Sequence, residues 1–285
     1  FKSFEVVILV LLLQVFSFNK KYKDVWLICE RGFDARDNGY HFFEYLRNHH
    51  ADLNVYYLIN KKRNPLDYKK LCNLGNVIQY KGFKHKLLFL AATKLVSAHK
   101  GTIEPWNYVQ FTKYFGRFVP EKKYVFLQHG ITKDNVSNIL GKENAPFDLF
   151  ITGAKPEYEY ILNNFGYSAE EVAYTGFARF DSLHDIDLEN TILLMPTWRD
   201  GIVQKSWDQI NRVNDQVFLS SEYYYTFQSL LNNDELHNLL EQRDYKLVFY
   251  PHYEVQKYIK YFSTDSKRVI LGTEQEYDIQ ELLKK

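Results

Sequence analysis

The sequence predicts an α/β protein of two lobes, each built on a mainly parallel sheet. Three observations carry that expectation. Short apolar runs rich in Val, Ile, Leu and Tyr recur from Asp24 onward, segments of helical character fall between them, and a polar, acidic stretch at 184–190 (HDIDLEN) interrupts the series. Such alternation is the pattern of βαβ units, in which a helix carries the chain back so that the next strand runs parallel to the last. At 285 residues the chain is long enough for two ordinary cores.

Taken in order, residues 1–23 form a segment of their own. The run 4–18 (FEVVILVLLLQVFSF) is strongly apolar and is followed by Lys20, Lys21 and Lys23. It is shorter than the roughly 20 residues needed to cross a bilayer, and it carries Glu5 and Gln14. No small-residue cleavage site follows it and its charges lie on the wrong side for a signal peptide. It reads as a membrane-surface or membrane-dipping segment with its lysines near anionic headgroups, a buried core helix being the alternative. The first lobe, 24–185, takes strands at 25–29, 55–59, 76–80, 94–98, 124–128, 149–152 and 172–175, with helices at 39–49, 83–92 and 156–165. The second, 190–285, takes strands at 192–195, 246–250 and 268–271, with helices at 221–231 and 234–242.

Composition narrows the partners. The 36 Lys and Arg balance 35 Asp and Glu, which leaves no global field for nucleic acid, so an anionic partner must be held locally. Cys29 and Cys72 lie without a second Cys or His at ligand spacing, which argues against a disulfide framework or a zinc site and for a reducing compartment. Phosphate loops, dinucleotide fingerprints, zinc-protease motifs and nucleophile elbows are all missing from the sequence.

In parallel sheets the chemistry sits at the C-terminal strand ends. After 124–128 come His129 and Gly130, then Asp134: a histidine leaving a buried strand can act as a general base, with Asp134 or another carboxylate fixing its tautomer, or it can simply close a tight turn. After 192–195 come Thr197, Trp198 and Arg199, suited to clamping a phosphate or to a surface ion pair. After 246–250 comes His252, a second histidine at a strand end, able to stabilise a leaving diphosphate. The loop after 25–29 carries Glu30, Arg31, Asp37 and Asn38, either an acceptor-binding run or a solvated face. Gly176 and Arg179 follow the last strand of the first lobe.

These motifs, in this order, resemble the CDP-glycerol:poly(glycerophosphate) glycerophosphotransferase family. The resemblance runs from ERGFDARDNGYHFFEYL through LQHGITKDN, DLFITGAKPEYEYILNNFGY, YTGFARFD and ILLMPTWR to LVFYPHYE. It implies two Rossmann-like lobes of glycosyltransferase B type, with the acceptor on the first and the CDP moiety on the second. It further implies His129 as base and His252, Arg199 and Thr197 around the diphosphate. The implied donor is CDP-glycerol or a similar CDP-polyol, the implied acceptor a lipid-linked teichoic acid or capsule polymer, and the implied location the cytoplasmic face of the cell membrane, as a peripheral protein. Alternatives of the same architecture use CDP-ribitol or a nucleotide sugar; an inactive acceptor-binding fragment is another. Family members continue into an Asp-Tyr-Ser-Ser type loop beyond a segment like QEYDIQELLKK, so the C-terminal lobe is expected to be truncated here. No metal is demanded, although magnesium is chemically reasonable on a diphosphate.

Overall fold

A computed structural model describes residues 3–16, 19–145, 147–183, 189–204 and 214–284. It comprises two compact units, Phe1–Ser182 and Leu183–Lys285. The interruption read at 184–190 falls mostly outside the described residues.

The first unit is organised on seven strands: β1 (Val25–Cys29), β2 (Val55–Ile59), β3 (Val77–Gln79), β4 (Ala92–Ser97), β5 (Lys123–Phe126), β6 (Leu149–Thr152) and β7 (Val172–Tyr174). Their order is β3-β2-β1-β4-β5-β6-β7, and every neighbouring pair is parallel. The chain winds outward from β1 to β3, returns to β4, and then winds outward the other way. The order therefore reverses between β1 and β4, the kind of point beyond whose strand ends parallel sheets bind ligands.

Strand periodicity divides the core. Val25, Leu27 and Cys29 join one apolar cluster, with Leu88, Phe111 and Phe150, while Ile28 points to the other, with Phe43, Tyr57 and Leu71. A sheet covered on both faces explains why β2 is buried along its whole length and reads as an unbroken apolar run.

Among the helices that fall where the sequence reading placed none, two have eight residues or more. Pro65–Leu74 starts on Asn64, whose side chain accepts from the Asp67 amide at 3.1 Å, with Pro65 at the first turn. Tyr108–Phe115 starts on Asn107, which accepts from the Gln110 amide at 3.0 Å. The apolar N-terminal run forms the helix Ser3–Phe16. It buries Val6, Leu9, Val10 and Leu13, spaced three and four apart, against the first core, and it pairs Glu5 with Lys86 of the helix Phe83–Ala91. Its other face leaves Phe4, Ile8, Leu11 and Val15 exposed. Among the described residues no helix is long and apolar enough to cross a membrane.

The second unit carries β8 (Thr191–Leu194), β9 (Lys246–Phe249) and β10 (Val269–Leu271) in the order β10-β9-β8, again all parallel. The helices Glu222–Leu231 and Asp234–Gln242 accompany it. Its core mixes aliphatic and aromatic side chains, with Phe218 stacked on Tyr258 at 4.2 Å between ring centres.

Candidate active site

The site in the first unit grows from the loop after β1. Glu30 is buried, and its carboxylate accepts from the backbone amides of Arg36 (3.0 Å), Asp37 (2.9 Å) and Tyr40 (2.9 Å). A side chain on Gly39 would lie 3.0 Å from the Glu30 Cγ, so glycine there lets the helix Asn38–His49 start directly over the carboxylate. Burial and the neighbouring Asp34 and Asp37 charges push the Glu30 carboxyl up to about 8, against the amide bonds that favour its charged form. Glu30 thus shapes the loop from within. Arg31 is drawn back onto Asp34, with its Nε 2.6 Å from Oδ2. Arg36 and the Ala35 amide both donate to Asp67 of the helix Pro65–Leu74.

Asp37 caps the helix, accepting from the Asn38 amide at 2.8 Å, and also pairs with Arg179. Arg179 reaches this position from the turn after β7 and donates to the His129 carbonyl at 2.8 Å. Asn38 is buried between the same elements: its Nδ2 donates to the carbonyls of Gln128 (2.7 Å) and Leu127 (3.3 Å), and its Oδ1 accepts from the Arg179 amide (3.2 Å). The ends of β1, β5 and β7 are therefore tied together through Asp37, Asn38 and Arg179.

His129 stands at the centre of that arrangement. The strand expected at 124–128 ends at Phe126, because Gln128 turns into the left-handed region at φ +58°. A non-glycine residue there costs of order 1 kcal/mol or more, and such positions gather at functional sites. Gln128 is held in place by the Asn38 bond to its carbonyl and by its own side chain, which accepts from the His129 amide (2.9 Å) and donates to Thr132 Oγ1 (2.8 Å). The His129 Nδ1 lies 3.1 Å from the Ala98 carbonyl, which can only accept. Nδ1 therefore carries the proton in the neutral ring, leaving the Nε2 lone pair as the basic site. Partial removal from water holds the His129 pKa below the usual histidine value, with Asp37 opposing that shift.

Asp134, the carboxylate expected to fix this tautomer, is exposed, and the Nδ1 bond goes to Ala98 instead. The sequence reading also missed His99. Its ring stacks on His129 at 4.4 Å and 24°, and burial drives its pKa well below the usual value, so it stays neutral. Its place just past the end of β4, the same kind of position that His129 and His252 occupy, is the signal that identifies it. A side chain on Gly130 would meet no atom within 4 Å, whereas Gly176 takes a left-handed φ of +78° and donates to the Thr152 carbonyl.

In the second unit, Thr197 and Arg199 follow β8 and are exposed. The His252 amide donates to the Pro196 carbonyl at 3.1 Å, which joins the ends of β8 and β9, and the Trp198 and His252 rings lie 6.4 Å apart. His252 Nδ1 accepts from the Glu254 amide at 3.3 Å. The neutral ring therefore holds its proton on Nε2, the reverse of His129. Among the described residues no group of three or more His, Cys, Asp or Glu is placed to hold a metal ion.

Two units on parallel sheets, with histidines just past strand ends, make the chain an α/β protein. More narrowly, it belongs to the CDP-glycerol:poly(glycerophosphate) glycerophosphotransferase family, whose profile matches residues 9–285. It is 36% identical over 245 residues to the minor teichoic acid biosynthesis protein GgaB of Bacillus subtilis (strain 168), covering 85% of this chain and 27% of that protein. The chain thus spans about a quarter of the length of that relative. The fold is similar to the wall teichoic acid polymerase TagF (TM-score 0.57, 14% identity, 99% of this chain and 72% of that one). A TagF variant soaked with CDPG (TM-score 0.56, 13% identity, 100% and 73% covered) and the S. aureus MnaA–UDP structure (TM-score 0.51, 13% identity, 91% and 71% covered) share it as well.

Proposed function

We propose that this protein transfers glycerol phosphate from CDP-glycerol to the terminal hydroxyl of a membrane-linked teichoic acid or related polymer, releasing CMP. The observation that carries the reading is His129. The Ala98 carbonyl fixes its tautomer, its Nε2 lone pair is basic, and it stands at the strand ends of a chain in this family. The acceptor hydroxyl gives its proton to Nε2 as its oxygen attacks the β-phosphorus of the donor, the one bonded to glycerol. The bond from that phosphorus to the bridging oxygen breaks, and CMP leaves with the electron pair. His252 offers an Nε2 proton suited to the departing phosphate, with Arg199 and Thr197 as further donors. The reading assigns the acceptor to the first unit and the donor to the second, a glycosyltransferase B type of arrangement, with any divalent cation arriving on the diphosphate. Arg31 and Asp37 stand on the acceptor side, where the buried Glu30 and Asn38, with Arg179, keep the loop in shape.

The exposed apolar face of the helix Ser3–Phe16, next to Lys20, Lys21 and Lys23, supports action at the membrane surface as a peripheral protein. CMP release from CDP-glycerol with a lipid-linked acceptor tests the assignment. His129→Ala is expected to lose roughly a hundredfold or more, the usual contribution of a general base. Full activity in that variant would remove His129 from the chemistry, and release from a different CDP-polyol alone would reassign the donor.

A further inference from the structure

A cavity of about 370 Å³, lined by none of the residues described around His129, opens in the first unit beside the helices Ser3–Phe16, Phe83–Ala91 and Tyr108–Phe115. Glu5, Lys81, Lys86, Trp106, Asn107 and Gln110 line it. Glu5 is held by Lys86 and by the Trp106 indole, whose Nε1 donates at 3.3 Å. With that pair neutralised, Lys81 gives the cavity a net positive charge. Its backbone is fixed: Lys81 adopts a left-handed φ of +57°, and its amide donates to the buried His85 Nδ1 at 2.9 Å. One ammonium, two carboxamides and an indole in a space of this size suit a single phosphate carrying a small hydroxylated group.

The exposed apolar side chains nearby in the sequence tell which source of phosphate fits. Phe4 (79% exposed), Phe83 (62%) and Val109 (76%) stand out into solvent, each within a few residues of a lining side chain. Glu5 lies on the flank of its helix, between the buried face and the exposed Phe4, Ile8, Leu11 and Val15, a stripe roughly 16 Å long. A cationic cavity, with protruding apolar side chains adjacent in sequence to its lining residues and an apolar stripe on the same helix as Glu5, matches a lipid, with its headgroup in the cavity and its chains alongside. We propose that this cavity is a headgroup site for an anionic glycerophospholipid. The inference rests on the membrane-surface reading above and adds a specific site to it.

Flotation of the full chain with vesicles of phosphatidylcholine alone, or of phosphatidylcholine with phosphatidylglycerol, tests both. Lys81→Gln combined with Gln110→Glu changes the charge by two inside the cavity; Lys20→Gln combined with Lys21→Gln makes the same change outside it. Both cavity positions are exposed, so the fold is not at stake. Binding to the phosphatidylglycerol vesicles should weaken about tenfold or more in the cavity variant and clearly less in the control, since simple surface attraction would treat the two pairs alike. Equal loss in both, or none in the cavity variant, overturns the headgroup site while leaving membrane association intact. Binding to no vesicle at all overturns the membrane reading itself. Soluble glycerol phosphate, titrated by calorimetry, should bind far more weakly than the vesicles; equally tight binding would assign the cavity to a free phosphate ester and overturn the lipid.

Discussion

Acid should loosen the first unit through one residue, His85. It is fully buried; its Nδ1 accepts from the Lys81 amide at 2.9 Å, its Nε2 donates to the Ile103 carbonyl at 2.9 Å, and Tyr80 stacks on it at 5.6 Å. A second proton on that ring would set two donors against each other at Nδ1. Burial accordingly lowers its pKa from 6.5 to about 4. Above pH 6.5 the ring is neutral whether folded or unfolded and adds no pH dependence. As pH falls, the unfolded chain takes the proton first, so stability is lost progressively between about 6.5 and about 4. A gap of about 2.5 pH units, at about 1.4 kcal/mol each, gives ~3 kcal/mol below pH 4 and ~2 kcal/mol already lost at pH 5. Amide hydrogen exchange of β1 and β2 reads the opening free energy of this unit directly. Measured at pH 7 and pH 5 in the wild type and in His85→Gln, which cannot titrate, the wild type should lose ~2 kcal/mol more than the variant. An identical loss in both proteins would show that His85 does not control the acid response.

Two further outcomes bear on the site. His99→Ala should uncover His129 and let its pKa rise toward the ordinary 6.5, so that activity measured across pH fails first near pH 6; His99→Phe, which keeps a ring in the stack, should restore the wild-type profile. Gly130→Ala should leave the melting temperature within about 2 °C, because a new Cβ meets no protein atom, yet raise the KM for acceptor if the substrate passes over this backbone.

The strand cores were legible because each is a short apolar run cut off by polar residues, and β1, β2 and β6 fall where the sequence placed them. The strand ends were less so: β5 stops early because Gln128 turns left-handed, and that turn is sustained by Asn38, ninety residues away in the chain. The helix Pro65–Leu74 had its start written in Asn64-Pro65 and its end in Gly75, signals that a search for apolar runs passes over. Tyr108–Phe115 is rich in aromatic and β-branched residues, whose local preference does not favour a helix; packing of Phe111 against Phe89 and Trp106 overrides it. At the site, residue types at strand ends pointed to His129 and His252. They did not show which atom would orient each ring, since carbonyls and amides leave no trace in side-chain identity.

That last feature bears on the charge a donor would meet. Carboxylates commonly orient catalytic histidines, but each brings a full negative charge. Here a peptide carbonyl orients His129 and a peptide amide orients His252, and the acidic group near His129, Asp37, is engaged by Arg179. An anionic ligand can approach His129 without being repelled by the group that aims it. Because a backbone carbonyl makes this assignment, the side chains around His129 can vary while the ring keeps its tautomer.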